Sequence, residues 1–303
     1  GGIERIMLFQ ARVLKKNGYN IKFAFSYVDE KLARERLNGF EVIEYGKLPI
    51  KNETLQIVSS ILRGDVIEKF RDVDLIICHS FPASYIALKI KRKLCIPYIL
   101  HLHHPPQFLY NADLNWAKNS LKRKVSFFIG KIFKRPLRIF DRFCVKNAEG
   151  YLLEGKSVAR IIKKTYGISG TITYPAVDKN FEFKKYNIRD LKKYGIKKDF
   201  ILGSGRIVKQ KRFDYLIKAF SNLRREDLQL VFAGKWEEKE KKELDWLINS
   251  LCLKNVLFLG PLSINELNKL YNLAKISVVT CPKEWFGLVN VEAMACGCPV
   301  VAW

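Results

Sequence analysis

Long apolar runs are missing from this chain. None of its 303 residues lies in an uninterrupted hydrophobic stretch near the ~20 residues that crossing a bilayer demands. No signal peptide opens it. Acids are scarce, 30 against 54 Lys and Arg, and the resulting net charge of +24 points to an anionic partner: a phosphorylated ligand, an acidic lipid surface or nucleic acid. The seven cysteines form no Cys-x-x-Cys pair and leave one over in any full pairing, which argues against a disulfide-built secreted scaffold and for a reducing compartment. Internal repeats and low-complexity tracts are absent as well. With 48% apolar and 28% charged residues, neither disorder nor a collagen-like repeat fits the composition.

What is present is a regular alternation of short apolar runs and amphipathic stretches. Residues 21–25, 73–78, 97–102 and 150–153 read as buried strands in the first half, and 200–204, 228–233, 256–259, 276–280 and 299–302 in the second. Helical periodicity lies between them, as at Phe213, Leu216, Ile217 and Phe220. Strict alternation of the two predicts an α/β protein with parallel sheets and helices on both faces. The pattern pauses over 175–197, where Pro, Asp, Asn and Lys interrupt it. We read a hinge there, with domains over 1–176 and 177–303 and a ligand cleft at the carboxyl ends of the strands.

Two segments of the second half carry the sharpest chemistry. Gly203-Ser204-Gly205-Arg206 through Lys211 follows a strand and precedes a helix. Arg206 and Lys211, five apart across the turn, reach a diphosphate as a fork and a point charge, or are two solvated cations. Glu284 and Glu292 stand eight apart astride a strand-to-helix junction. The amides near Gly287 and Leu288 open a helix and suit an anion. Glu292 accepts hydrogen bonds from sugar or ribose hydroxyls, or else is an exposed helical residue, with Glu284 as a capping acid.

Together, the Glu-x7-Glu block over 284–301, the run over 205–220, the segments Val256–Tyr271 and Tyr174–Asp178, and the opening Gly1-Gly2-Ile3-Glu4 resemble the retaining glycosyltransferases of family four, group 1. The resemblance implies the GT-B architecture, two Rossmann-like doubly wound domains facing a cleft. It implies that 1–176 binds the acceptor and 177–303 the nucleotide sugar. Arg206 and Lys211 then hold the donor diphosphate, Glu284 contacts the transferred sugar and Glu292 the ribose. The amides of Phe286, Gly287 and Leu288 line the sugar and phosphate site, while Gly234, Leu259 and Gly260 enclose the nucleotide. Gly1 and Gly2 match the family's glycine-rich loop near the donor phosphates. His103 aligns with the family's active-site histidine, so the catalytic set is His103, Arg206, Lys211 and Glu284. Against that pattern the chain departs at Glu154-Gly155, where the family has Asn-Ser. Relative to the family it lacks a first strand and a final helix, and it reads as a fragment of a longer frame.

His101 and His103, at i and i+2 on one strand face, read alternatively as metal ligands or as core histidines, and no third ligand suggests itself nearby. Asp72-Val73-Asp74 spells the Asp-x-Asp of metal-dependent glycosyltransferases but precedes a strand, so it reads as a turn. No metal and no cofactor is expected for transfer. Between 118 and 142, nine Lys or Arg stand against the single acid Asp141 among apolar residues, the pattern of a segment lying on anionic membrane or of an ordinary helix pair broken at Pro136. This stretch, with 101–110 and 157–167, is similar to mannosyltransferases of the lipid-linked oligosaccharide pathway, which use GDP-mannose. The expectation is therefore a metal-independent retaining transferase, acting on a glycan or polyprenyl-linked acceptor, cytoplasmic and peripheral on the membrane. Its alternatives are a sugar phosphorylase or sugar-phosphate synthase of the same fold, or a non-catalytic basic binder. The charge is spread through helices, not gathered into a recognised module, so nucleic acid is not expected as a partner.

Overall fold

The computed structural model describes residues 2–25, 37–45, 67–79, 82–110, 134–282 and 284–303. Its contacts divide the chain into two compact units, Gly1–Ala176 and Val177–Trp303.

In the first unit, α1 (Gly2–Lys16) carries Glu4 in its first turn and Lys15 and Lys16 in its last, both favourable to the helix dipole, and buries Ile6 and Ala11. β1 (Lys22–Phe25) pairs in parallel with β2 (Glu41–Glu44). The larger sheet runs β3-β4-β5-β6, all parallel, from β3 (Ile76–His79), β4 (Tyr98–Leu102), β5 (Gly150–Leu153) and β6 (Thr171–Ile172). The connecting helices are α2 (Ala83–Leu94), α3 (Gln107–Tyr110), α4 (Lys134–Lys146) and α5 (Lys156–Tyr166). Burial is deepest on the central strand, where Tyr98 and Leu100 are 0% exposed, and the Tyr98 hydroxyl donates to the Cys144 carbonyl. A buried hydroxyl without such an acceptor is costly, so this bond ties α4 to the sheet.

The second unit is one five-stranded parallel sheet in the order β11-β10-β7-β8-β9. It is built from β7 (Asp199–Ser204), β8 (Leu228–Ala233), β9 (Val256–Phe258), β10 (Ile276–Val279) and β11 (Val300–Ala302), with α6 (Phe213–Leu223), α7 (Glu238–Ser250), α8 (Ile264–Leu273) and α9 (Leu288–Ala295) between them. Side chains alternate between its faces. Phe200, Leu202 and Val231 pack with Leu270, Tyr271 and Ala293 on one side, and Ile201, Leu230 and Phe232 with Leu216, Ile217 and Leu244 on the other. Helices on both faces of a parallel sheet are what the alternating apolar runs demand.

One sequence expectation changes here. The polar stretch 175–197 is part of a core: Phe181, Leu191 and Ile196 are almost fully buried in the second unit. A 3₁₀ turn over Ile188–Tyr194, closed by a capping box between Asn187 and Asp190, carries Leu191 inward without the four-residue spacing that marks a helix. Pro136 sits in the first turn of α4, where its missing N–H has no intrahelical partner to lose, and the residues before Lys134 lie outside the described ones.

Asp141, the lone acid of the basic run, is 2% exposed and accepts hydrogen bonds from Tyr110 at 2.9 Å and Tyr166 at 2.8 Å. Burial raises its carboxyl above the ordinary range, and the two hydroxyls and nearby Arg142 offset only part of that rise. A folded pKa above the unfolded one favours folding fully below the unfolded value, and this contribution is lost as pH rises through the folded value. The melting temperature of Asp141→Asn should therefore gain on that of the unaltered protein as pH rises out of the acid range; a constant difference across that range would remove the assignment.

Candidate active site

The carboxyl ends of β7, β8 and β9 are drawn together by backbone bonds that only glycine permits. The Gly205 N–H donates to the Ala233 carbonyl at 2.9 Å, and the Gly234 N–H to the Gly260 carbonyl at 2.8 Å. Gly234 has φ +147, and a Cβ there would lie 1.9 Å from the Gly205 oxygen. Leu259 extends the ladder through its N–H to the Phe232 carbonyl at 2.9 Å. Beyond Gly205, fully buried Ile207 anchors the loop, and a 3₁₀ turn over Lys209–Lys211 leads into α6. The Thr280 hydroxyl, just past β10, donates to the Lys211 carbonyl at 2.7 Å and fixes that turn against the neighbouring strand.

This brings Lys211 and Glu284, 73 residues apart, into an ion pair with their side chains 23% and 28% exposed. Partly exposed pairs of this kind contribute little, about 1 kcal/mol or less, so an incoming anion can replace the carboxylate at Lys211. Gly287, in the left-handed region at φ +79, caps α9; a Cβ there would meet Asn290 at 2.8 Å and Glu284 Cγ at 3.2 Å. Glu284, Phe286, Gly287 and Leu288 therefore form one short run at the opening of α9. Glu292 is 3% exposed, which excludes the solvated-face alternative for it. Arg206 is exposed, and among the described residues no hydrogen bond or ion pair joins it to Lys211. Gly2 opens α1, while Gly1 lies outside the described residues.

The first unit gathers a second constellation. Parallel register sets His79 of β3 opposite His101 of β4, and His103 follows two residues on. His79 Nδ1 lies 3.0 Å from His103 Nε2, His103 Nδ1 bonds the Glu154 carboxylate, and His101 Nδ1 lies 3.0 Å from Gln10 Nε2. His101 and His103 are each 1% exposed. Burial, then the neighbouring imidazoles, push His79 down to about 2 and His101 to about 4; burial also lowers His104. The expectation that His101 and His103 lack a third nitrogen is corrected by His79: ring nitrogens of all three lie within 4.8 Å of one another. The sequence signal for His79 was its place at the end of an apolar strand, but only the register names its partner. Glu154, the departure from the family pattern, is the buried acceptor for His103.

Asp72 is a turn acid that pairs with Lys22 at 2.5 Å. Of the basic run, 118–133 lies outside the described residues. Over its remainder, α4 presents Ile139 at 71% and, just beyond, Phe143 at 42% exposure, beside exposed Arg135, Arg142 and Lys146. No helix among the described residues is long and apolar enough to cross a membrane.

Residues 1–181 match the family described as Glycosyltransferase Family 4, and 187–303 the one described as Glycosyl transferases group 1. A glycosyltransferase of Methanocaldococcus jannaschii, MJ1178, is 27% identical over 79% of this chain, a segment that takes in 58% of its own length. The alpha-1,3/1,6-mannosyltransferase ALG2 of Candida glabrata is 22% identical over the whole chain and 73% of its own length. HepE of Anabaena, solved with UDP-glucose, shares the fold at a TM-score of 0.76 and 19% identity, over the whole chain and 77% of its own.

Since the strand ends meet through glycine, Gly234→Ala should lower stability by at least about 2 kcal/mol, through its strained φ and the overlap with the Gly205 carbonyl. An unchanged denaturant midpoint would mean that the two loops part freely.

Proposed function

The chain belongs to the group 1 glycosyltransferases of family 4, and we propose that it moves a hexose, in the favoured case mannose from GDP-mannose, from a nucleotide-diphosphate sugar to a glycan or polyprenyl-linked acceptor, with retention of anomeric configuration. The observation that carries this reading is the Lys211–Glu284 pair beside the Gly287 turn. In this reading the pair supplies a cation for the diphosphate and a carboxylate for its sugar. The ALG2 relative is a mannosyltransferase and HepE binds UDP-glucose, which supports a nucleotide-sugar donor.

In this reading the second unit binds the donor and the first unit the acceptor. The diphosphate takes Lys211 from Glu284, and Arg206, which has no ion-pair partner among the described residues, closes on it from the preceding loop. The freed Glu284 carboxylate accepts from hydroxyls of the transferred sugar. Amides of Phe286, Gly287 and Leu288 donate toward sugar and phosphate, Glu292 takes the ribose hydroxyls, and Gly234 and Leu259 bound the nucleotide. As the glycosidic bond breaks, negative charge grows on the leaving diphosphate. In this reading Lys211, Arg206 and the amides stabilise that charge, which is the contribution that lowers such a barrier most, and no metal is required there. The acceptor hydroxyl attacks the face the diphosphate leaves, losing its proton toward the departing phosphate. In this reading His103, held through its two ring nitrogens by Glu154 and His79, is the histidine that stands near the transferred sugar.

The exposed Ile139 and Phe143 among Arg135, Arg142 and Lys146 support a peripheral contact with anionic membrane near a lipid-linked acceptor. Replacing Arg135 and Ile139 together by Glu should weaken co-sedimentation with phosphatidylglycerol vesicles at least about fivefold, and undiminished binding would remove this contact. For the chemistry, Lys211→Ala should lower kcat/KM for mannosyl transfer from GDP-mannose by about 10²–10³-fold. Glu292→Gln should raise the donor KM. Near-normal turnover in both variants, or transfer from UDP-glucose in place of GDP-mannose, would overturn the site or the donor respectively.

A further inference from the structure

The bond-making step above routes nothing through His79 or His101, and the hydrogen bonding of the three-histidine cluster they form with His103 is lopsided. His79 Nδ1 and His103 Nε2 satisfy each other at 3.0 Å. His101 Nε2, in a side chain 1% exposed, is buried with no hydrogen-bond partner among the described residues. A buried polar atom left so is unusual and calls for a ligand. The outer nitrogens are accounted for: His103 Nδ1 donates to the buried Glu154 carboxylate, and His101 Nδ1 faces the Gln10 amide, whose oxygen has no other partner and, with the amide turned, accepts from Nδ1–H. An imidazole whose far N–H is held by a carboxylate or amide oxygen, with its near nitrogen turned toward two others, is the arrangement by which proteins orient metal-binding histidines.

From this geometry we propose that His79, His101 and His103 form a binding site for a divalent transition metal of the zinc class, with Glu154 and Gln10 as the groups that orient two of the ligands. Around one tetrahedral zinc, ligand nitrogens stand ~3.3 Å apart. One pair is already at 3.0 Å and all three lie within 4.8 Å, so the set closes on an ion with at most ~1.5 Å of side-chain adjustment. Nitrogen-only ligands favour zinc, cobalt, nickel or copper over magnesium or calcium. Three protein ligands leave a fourth position for water or for an acceptor oxygen. Strand register supplies the rigidity: His79 faces His101 across a hydrogen-bonded ladder, and His103 lies on the same face. The ligands and their supports all belong to the first unit, so the inference does not rest on the transferase reading.

The test is made on the full protein, purified without a histidine tag. Elemental analysis should find about one zinc per chain. After chelation, added Co²⁺ should give the visible bands of a four-coordinate nitrogen site, and added Zn²⁺ should raise the melting temperature. His101→Ala should abolish both responses, and Glu154→Gln should weaken zinc binding about 10–100-fold. Should His101→Ala fail to fold, the less buried His79→Gln replaces it with the same expected loss. Substoichiometric metal with no response to Zn²⁺ or Co²⁺ overturns the site, as does metal binding undiminished in His79→Gln. Failure of the transfer reading is scored separately, by the loss of any nucleotide-sugar response while the metal response persists.

Discussion

Every strand pairing among the described residues is parallel, and the rest of the molecule depends on that constraint. Parallel neighbours put all their carboxyl ends on one edge of the sheet, so residues far apart in sequence meet there without any of them being adjacent in the chain. Lys211 and Glu284 meet because the loops after β7 and β10 leave the same edge. His79 meets His101 and His103 for the same reason in the other sheet. Each crossover must then be covered by a helix, and each helix must bury a stripe against a sheet face, which fixes where Leu216, Ile217, Leu270 and Tyr271 lie. The price is that loop backbones at the strand ends crowd one another at Gly234, where a Cβ would overlap the Gly205 carbonyl, while Gly205 and Gly260 hold positive φ.

Much of this was legible beforehand. A strand covered by helices on both faces reads as a mostly apolar run, so residues 150–153 and 228–233 mark their strands to the residue. Phe213, Leu216, Ile217 and Phe220 mark the buried stripe of α6. Less legible were β2, whose Glu41 and Glu44 flank only two apolar residues, and β6, only two residues long. Leu191 escaped because a 3₁₀ turn buries single side chains at a spacing no periodicity template detects. The site divides in the same way. The residues around Arg206, Lys211, Glu284 and Glu292 could be placed because each sits in a local run of recognisable order. His79, Gln10 and Glu154 could not, because their meaning lies wholly in register and in a contact between an α1 side chain and the sheet. No reading of residues in chain order contains that contact.

The two constellations also differ in electrostatic character, and the difference follows from burial. Lys211 and Glu284 keep about a quarter of their side-chain surface in water. There a salt bridge is weak and its partners exchange at low cost, which is what a site must allow if a diphosphate is to arrive and leave in each turnover. His103 and Glu154 are nearly dry, with side chains 2% and 5% exposed. A charge there cannot be exchanged for solvent, and removing either partner leaves the other uncompensated.

That contrast decides what each cluster is suited for. An exchangeable pair on a glycine-shaped edge suits a transient anionic ligand. Buried imidazoles, braced from outside by Glu154 and Gln10 and packed ring to ring, suit a ligand that stays. The same feature of the fold, parallel carboxyl ends on one edge, thus produces both kinds of site. What separates them is how many helices and side chains cover the edge: α1 brings Gln10 over the β4 end, while the turn after β7 leaves Arg206 exposed. Coverage of the strand ends, more than the identity of any single charged residue, sets whether a group held there is a substrate or a fixture.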